Sequence, residues 1–441
     1  MEAVRKDSTK KEVTSGAFSN VLVLLTFFWS LLFLSACEGF QNPLAAPTLT
    51  APPPTFTPEP TFTPTPGPDT AEGFNNFLSQ AEAESHSDRQ GLVNRYLAQV
   101  ETAPITTGSQ AIFIYQGAAH TIHLNGDMNN WILDEAPQLT RLEGTDMWYY
   151  AAEFEPTARL DYQYVLNGTN FRLDPLNPNT VRGGFGPNSE LAMPDYQTPP
   201  ELRPTAEEIP TGTLTSHTLN SSHLNQTRTF YVYQPPGQLV GARLPSVYFN
   251  DGTDFLNIID APAILDRLIA GRHIPPVTAV FVLPVIRDDD YTLNENYADF
   301  MALELVPFIQ ANFDADPAPE KTAVLGPSLG GLAAVHTAVL HPEVFGLVAG
   351  QSGAYSVNEG ALLRRIAGQG APGVRFYLVV GSYVTAVGGN TAEGNLLEAN
   401  QQLADILEDK GYPHLYEELP QGHSWGLWRS TIGRALEYLL A

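Results

Sequence analysis

Cysteine is almost absent from this sequence of 441 residues, which contains a single one, Cys37. The folded part of the chain can therefore form no intrachain disulfide, and its stability has to come from packing. Basic residues are also scarce, because 23 Lys and Arg stand against 48 Asp and Glu and give a net charge of −25. Nucleic-acid binding requires clustered cations that displace counterions from phosphates, so the composition excludes that class of function.

The sequence also lacks an apolar run long enough to span a membrane. The run from Val21 to Leu34 is shorter than the roughly 20 residues that a spanning helix needs. Basic residues precede it and Leu34-Ser35-Ala36-Cys37 follows, an arrangement that resembles the bacterial lipobox. The resemblance implies a signal peptide over residues 1–37, lipid on Cys37 and an extracytoplasmic protein anchored to the cell membrane. A retained anchor helix and plain secretion are the alternatives.

The rest of the chain changes character at three points. Residues 38–70 are rich in Pro and Thr and predict an extended linker. A helical pattern over 71–105 leads into short strands separated by turn signals over 106–200, which predict a small β-sandwich. Apolar strands alternate with helical segments over 201–441, and this alternation predicts a mainly parallel sheet with helices on both faces, an α/β fold.

Two kinds of site are missing from the sequence. It has no glycine-rich loop of the type that cradles phosphates, and no His and Cys cluster has the spacing of metal ligands. We therefore expect neither a metal nor a cofactor.

A serine motif carries the strongest functional signal. Gly326-Pro327-Ser328-Leu329-Gly330-Gly331 follows a predicted strand and opens a predicted helix, which is the context of a nucleophile elbow. An ordinary strand-to-helix turn is the alternative. The motif predicts Ser328 as the nucleophile and the N–H of Leu329 as one donor of an oxyanion hole, which needs two such donors.

A histidine near the C-terminus completes the pair. Gln421-Gly422-His423-Ser424-Trp425 lies where an α/β hydrolase, in the order serine, acid, histidine, has its general base. We predict that His423 accepts the serine proton and returns it to the leaving alcohol. Asn250-Asp251-Gly252-Thr253 ends an apolar strand, and either supplies the second oxyanion donor or forms a simple β-turn.

Together these residues resemble the esterase D family, and within it the enterochelin-esterase-like branch. The matching pieces are Asp251-Gly252, Arg287 followed by Asp290-Tyr291, the serine motif, Gln351-Ser352-Gly353, Gly422-His423-Ser424-Trp425 and Trp428-Arg429. The resemblance implies an α/β-hydrolase fold and a carboxylic-ester substrate, either a small molecule or attached to a polymer. It implies that Thr253 donates the second oxyanion N–H and that Asp251 lines the site, and we assign Asp251 and Trp425 to substrate binding.

The triad acid departs from the family pattern. The loop after Gly381, where the family has its acid, contains no carboxylate, and Val384 stands about where a Glu is expected. Glu393 and Glu398 follow farther on, and Glu393 is our candidate acid. The alternative is a Ser–His dyad, in which nothing negative stabilises the imidazolium.

The segment 106–200 resembles an early-set, glycogen-binding-type immunoglobulin-like module. The resemblance rests on His123-Leu124-Asn125-Gly126-Asp127 with Trp131, and on Leu173-Asp174-Pro175. Polysaccharide binding would use Trp131 with Phe171 in place of a second tryptophan. A packed Trp131 and a role of this module at the mouth of the active site are the alternatives.

The predicted function is carboxylic-ester hydrolysis through an acyl-enzyme, on siderophore esters or other hydroxy-acid or aryl esters. Two other classes stay open. The first is transfer of the acyl group to an alcohol instead of water. The second is a non-catalytic surface binding protein on a hydrolase scaffold, which the missing acid favours and the serine and histidine motifs oppose.

Overall fold

The computed structural model describes residues 66–204, 208–237, 241–368, 373–385 and 395–441. Cys37, the predicted signal peptide and nearly all of the predicted linker lie outside these ranges, and so does Glu393. Within the described ranges, no helix combines the length and the apolar character that crossing a bilayer would need.

Two helices precede the first sheet, α1 (Ala71–Ala83) and α2 (His86–Leu97). The side chain of Thr70 caps α1 by accepting the N–H of Gly73 at 3.0 Å. Phe77 of α1 stacks on Tyr96 of α2 with ring centroids 4.0 Å apart. The apolar faces of both helices pack on the first sheet, where they share a core with it.

Two antiparallel sheets follow and form a β-sandwich, called the sandwich below. The first has the strand order β1-β2-β5-β4 and the second β3-β6-β9-β8, with β7 also paired to β6. The strands are β1 Ile105–Thr107, β2 Gln110–Gln116, β3 Ile122–Gly126, β4 Thr140–Arg141, β5 Met147–Glu153, β6 Arg159–Leu166, β7 Asn170–Arg172, β8 Thr180–Gly183 and β9 Gly186–Ala192. Side chains from both sheets form a core between them. In this core the rings of Phe113 on β2 and Tyr162 on β6 contact each other, with centroids 5.1 Å apart. Short 3-10 turns at Asp127–Asn129 and Leu133–Glu135 follow β3.

An eight-stranded sheet forms the second half of the chain. Its order is β10-β11-β13-β12-β14-β15-β16-β17, in which β10 and β11 are antiparallel to their neighbours and the other strands run parallel. These strands are β10 Thr213–Ser221, β11 Gln226–Gln234, β12 Ser246–Phe249, β13 Thr278–Val282, β14 Thr322–Pro327, β15 Leu347–Gln351, β16 Arg375–Gly381 and β17 His414–Leu419. Val247 and Phe249 face one core and Tyr248 faces the other, as the two-residue period of a strand requires.

Helices cover both faces of this sheet. They are α3 Gly252–Asp254, α4 Ala261–Ala270, α5 Arg287–Tyr291, α6 Glu295–Asp299, α7 Val306–Asn312, α8 Leu329–Leu340, α9 Val357–Gly368, α10 Leu396–Lys410 and α11 Trp425–Leu440. Two π-helical turns, Phe255–Ile259 and Phe300–Leu305, extend α3 and α6. The predicted α/β-hydrolase architecture is confirmed, and it brings the ends of β12, β14 and β17 to one edge of the sheet.

Candidate active site

Ser328 lies in a sharp turn between β14 and α8. Its backbone has φ 55° and ψ −124°, a conformation that costs a non-glycine residue free energy and persists only where packing enforces it. A Cβ at Gly326 would overlap the carbonyl group of Gly330, so strand and helix approach too closely for a side chain there. This is the geometry of a nucleophile elbow, which lifts the serine hydroxyl out of the backbone.

His423 lies in the loop between β17 and α11, and it meets Ser328. Its Nε2 is 3.0 Å from the serine Oγ, within hydrogen-bond distance. The imidazole and the Trp428 indole are perpendicular, with ring centroids 5.0 Å apart and planes at 89°. Burial, and then the positive charge of Arg287, lower the pKa of His423 to about 4. The imidazole is therefore neutral at neutral pH and able to accept the serine proton.

Among the described residues, no third member of a triad lies beside His423. In the described part of the chain, the buried Nδ1 of His423 has no hydrogen-bond partner. Glu398 is exposed and accepts a hydrogen bond from Gln402 at 3.2 Å, so it does not serve the histidine. Val384, at the position where an acid was expected, is fully buried with Val380. The candidate acid Glu393 lies outside the described residues, and its role stays a prediction.

The loop after β12 lies beside the elbow. Leu329 is the first residue of α8 and Thr253 belongs to the short α3. Both N–H groups therefore stand in the first turn of a helix, where no intrahelical acceptor is available. The predicted oxyanion donors thus come from two helix starts at one sheet edge, and their role remains a prediction.

The contacts of Asp251 differ from its predicted role. It is 2% exposed, and Arg287 binds both of its carboxylate oxygens, Nε at 2.7 Å and Nη2 at 2.8 Å. Burial raises the pKa of Asp251, an effect that Arg287 opposes. Because this carboxylate is buried and paired with Arg287, it is not presented to a substrate, which corrects its assignment to substrate binding. Asp251 holds Arg287, which sequence reasoning did not include in the site and whose side chain is 37% exposed.

Trp425 also departs from expectation. It is 8% exposed and packs edge-to-face against Phe255 and Trp428, with ring centroids 5.6 Å and 4.8 Å apart. Its indole is part of the core between the sheet and α11, so its assignment to substrate binding is corrected as well. The prediction rested on the position of Trp425 two residues after His423. Proximity in sequence does not show whether a side chain lines the active site or packs in the core.

The two aromatic residues considered for sugar binding lie in different surroundings. Trp131 is partly buried, and its indole N–H donates to Asp127 at 2.9 Å. Phe171, on β7, is 49% exposed. Polysaccharide binding stays a prediction, and so does the immunoglobulin-like assignment of the sandwich.

The fold and the serine–histidine pair define a serine hydrolase of the α/β-hydrolase class. The family model "Putative esterase" matches residues 221–439, and the chain is a serine esterase, a carboxylic-ester hydrolase. No group of three or more His, Cys, Asp and Glu in the described ranges could hold a metal ion.

Similar proteins include the iron(III) enterobactin esterase of Escherichia coli K12. It is 26% identical over 353 residues, covering 71% of this chain and 84% of that protein. Among solved structures, the ferric enterobactin esterase of Salmonella typhimurium has a TM-score of 0.66 at 21% identity, covering 75% of this chain and 93% of the other. The Shigella flexneri enterobactin esterase solved with enterobactin has a TM-score of 0.63 at 22% identity, over 75% and 92%. The shares of this chain that these comparisons cover, 71% and 75%, are larger than the segment 221–439 that the family model matches. The similarity therefore includes residues that precede this segment.

Proposed function

We propose that this esterase cleaves siderophore esters or related hydroxy-acid and aryl esters through an acyl-enzyme formed on Ser328. The observation that carries the proposal is the 3.0 Å contact between the serine Oγ and Nε2 of a neutral histidine. A base within hydrogen-bond reach of a hydroxyl on an elbow is the arrangement that nucleophilic catalysis requires.

In the first half-reaction, the Oγ of Ser328 attacks the ester carbonyl carbon while its proton moves to Nε2 of His423. The carbonyl oxygen becomes an oxyanion that the N–H groups of Leu329 and Thr253 would stabilise. Collapse of this intermediate breaks the bond to the alcohol, which takes the proton from His423. Water then repeats the sequence on the acyl-enzyme, releasing the acid and restoring the serine.

The substrate class rests on two observations. Arg287 presents a partly exposed guanidinium beside the nucleophile, held through Asp251, and a guanidinium binds anionic or strongly hydrogen-bonding oxygens. The relatives at 26% identity are iron(III) enterobactin esterases. Both favour an acyl group rich in acidic oxygens over a simple acetyl group.

Labelling and turnover test this proposal together. A fluorophosphonate probe should label the wild-type chain at Ser328 and leave Ser328→Ala unlabelled. Ser328→Ala should also lose turnover of every member of a panel of acetyl, aryl, feruloyl and catecholate-serine esters. More than a few per cent of residual turnover in a pure Ser328→Ala preparation would refute Ser328 as the nucleophile. A preference for acetyl over catecholate esters would refute the substrate class alone.

We further propose that the mature chain begins at a lipid-modified Cys37 and acts on the outer side of the cell membrane. Support comes from the apolar run that ends in Leu34-Ser35-Ala36-Cys37. Mass spectrometry of the mature N-terminus should find acyl chains on Cys37. An unmodified Cys37, or cleavage elsewhere, would remove the anchor.

A further inference from the structure

The loop that carries His423 contacts the sandwich along its backbone. The N–H of Arg159, the first residue of β6, donates to the carbonyl of Pro420 at 3.0 Å. Arg159 also forms an isolated parallel bridge with Gln421. The main chain immediately before His423 is thus paired with a strand of another sheet.

The side chain of Arg159 fixes the other end of this loop. It is 1% exposed, and its guanidinium lies 2.6 Å from Asp161 and 2.6 Å from Glu190. Burial would lower the pKa of Arg159, but these two carboxylates raise it above its ordinary value, so the guanidinium stays charged. Nη1 is 3.4 Å from the Oγ of Ser424, and a Cβ at Gly426 would overlap the guanidinium. A buried cation with two anionic partners has little freedom to move.

Asp127 lies against the residue that precedes His423. It is 2% exposed, and its carboxylate accepts the N–H of Asp161 at 2.7 Å and the indole N–H of Trp131 at 2.9 Å. A Cβ at Gly422 would overlap the carboxyl group of Asp127. Glycine is therefore required at 422 because the sandwich approaches the backbone there, which is a contact between the two halves of the molecule.

The sandwich also contacts the neighbouring loop after β16. Asn130 and Thr385 exchange two hydrogen bonds, at 2.9 Å and 3.1 Å. The hydroxyl of Tyr383 donates to Glu155 at 2.5 Å. Both loops at this corner of the active site thus rest on the sandwich.

These contacts matter because the imidazole has no acid beside it in the described part of the chain. In a triad, the acid fixes the orientation of the histidine. We propose that Asp127 and Arg159 are positioning residues, which fix the main-chain path on both sides of His423 and so hold its Nε2 at the serine. This proposal rests on the proposed function of Ser328 and His423 and adds the sandwich to the catalytic apparatus.

A pair of matched substitutions tests the proposal in the full chain. Asp127→Asn replaces one of the two hydrogen-bond-accepting oxygens next to Gly422 with an NH2 group, whereas Asp174→Asn makes the same change at an equally buried carboxyl group of the sandwich. Asp174 accepts hydrogen bonds from Tyr162 at 2.7 Å and Tyr164 at 3.2 Å, both within the sandwich. Both variants perturb the sandwich core, but only the first perturbs the histidine loop.

We expect Asp127→Asn to lower kcat for an aryl ester about tenfold or more, because displacement of a catalytic group by about 1 Å can cost a hundredfold. KM should stay within about twofold, since the substrate contacts are unchanged. Asp174→Asn should lower Tm at least as much and leave kcat within about twofold. Parallel losses of kcat and Tm in the two variants, or an unchanged kcat in Asp127→Asn, would overturn the proposal.

A second measurement leaves Asp127 in place and therefore serves if Asp127→Asn does not fold. Gly422→Ala places a methyl group against Asp127 and should lower kcat, whereas Gly212→Ala, whose methyl group would overlap Tyr233 at the far side of the sheet, should leave kcat within about twofold. Equal losses of kcat in the two variants would contradict the proposal. Ser328→Ala separates the two proposals. Turnover by that variant would refute the proposed function, whereas an inactive Ser328→Ala beside a fully active Asp127→Asn would refute only the positioning role.

Discussion

The pKa of His423 makes the acid limb of the pH–rate profile a direct test of the active site. Burial and Arg287 lower this pKa from the ordinary 6.5 to about 4. At pH 5.5 a histidine of pKa about 4 is about 97% neutral, whereas one of pKa about 6.5 would be about 9% neutral. Only the neutral form can accept the proton of Ser328, so kcat/KM at pH 5.5 should be about tenfold higher than for an unperturbed histidine.

The assay is hydrolysis of a naphthyl ester between pH 4 and 9, with the product quantified by chromatography so that its ionisation does not affect detection. We expect kcat/KM to fall only below about pH 5, because it reports the free enzyme. Asp127 provides the control, because burial and Asp161 raise its pKa to about 7. If kcat/KM falls with a pKa near 7 in the wild type and not in Asp127→Asn, that titration belongs to the carboxyl group of Asp127. A fall in kcat/KM with a pKa of 6.5 or above that persists in Asp127→Asn would refute the reasoning, because it would show that the pKa of His423 is not lowered.

Three further predictions concern single residues. If the site is a dyad, Glu393→Gln should change kcat less than about twofold, whereas a loss approaching about four orders of magnitude, as for a triad acid, would identify Glu393 as the acid. Arg287→Met should raise KM for a catecholate ester more than for an acetyl ester, and equal effects on the two substrates would deny Arg287 a part in specificity. Gly330→Ala should lower the free energy of unfolding by an overpacking cost of about 1–3 kcal/mol, because its Cβ would lie 2.6 Å from Asp251. Both Tm and kcat should fall as a result. Thermal unfolding checks it, and a raised Tm, as helix propensity alone implies, would contradict it.

The sequence was sufficient to select Ser328 and His423, which the structure brings within hydrogen-bond distance, because short-range patterns mark both residues. A strand, a tight glycine-flanked turn and a helix follow one another around Ser328, and a Gly-His pair lies just before the last helix. Alternating apolar segments likewise predicted the parallel sheet, because strands buried on both faces must be apolar throughout.

Burial and partners explain where the prediction failed. Asp251 and Trp425 lie near the site in sequence, yet the first is bound by Arg287 and the second is packed in the core. The contact of Arg159 with Ser424 joins residues 265 positions apart, and no local pattern announces such a contact. The sequence suggested a role of the sandwich at the mouth of the active site, but its contacts with the histidine loop could come only from the structure.

The strand order gives the two halves of the catalytic pair unequal protection against local opening. Ser328 follows β14, which is buried throughout and hydrogen-bonded to β12 and β15 on its two sides. His423 follows β17, which among the described strands pairs with β16 alone, consists of partly buried and exposed residues, and forms one edge of the sheet. Local fluctuations begin where backbone hydrogen bonds are exposed and few, so amide hydrogens of β17 exchange with solvent before those of β14. Opening at this edge would move His423 away from Ser328 while β14 stays folded.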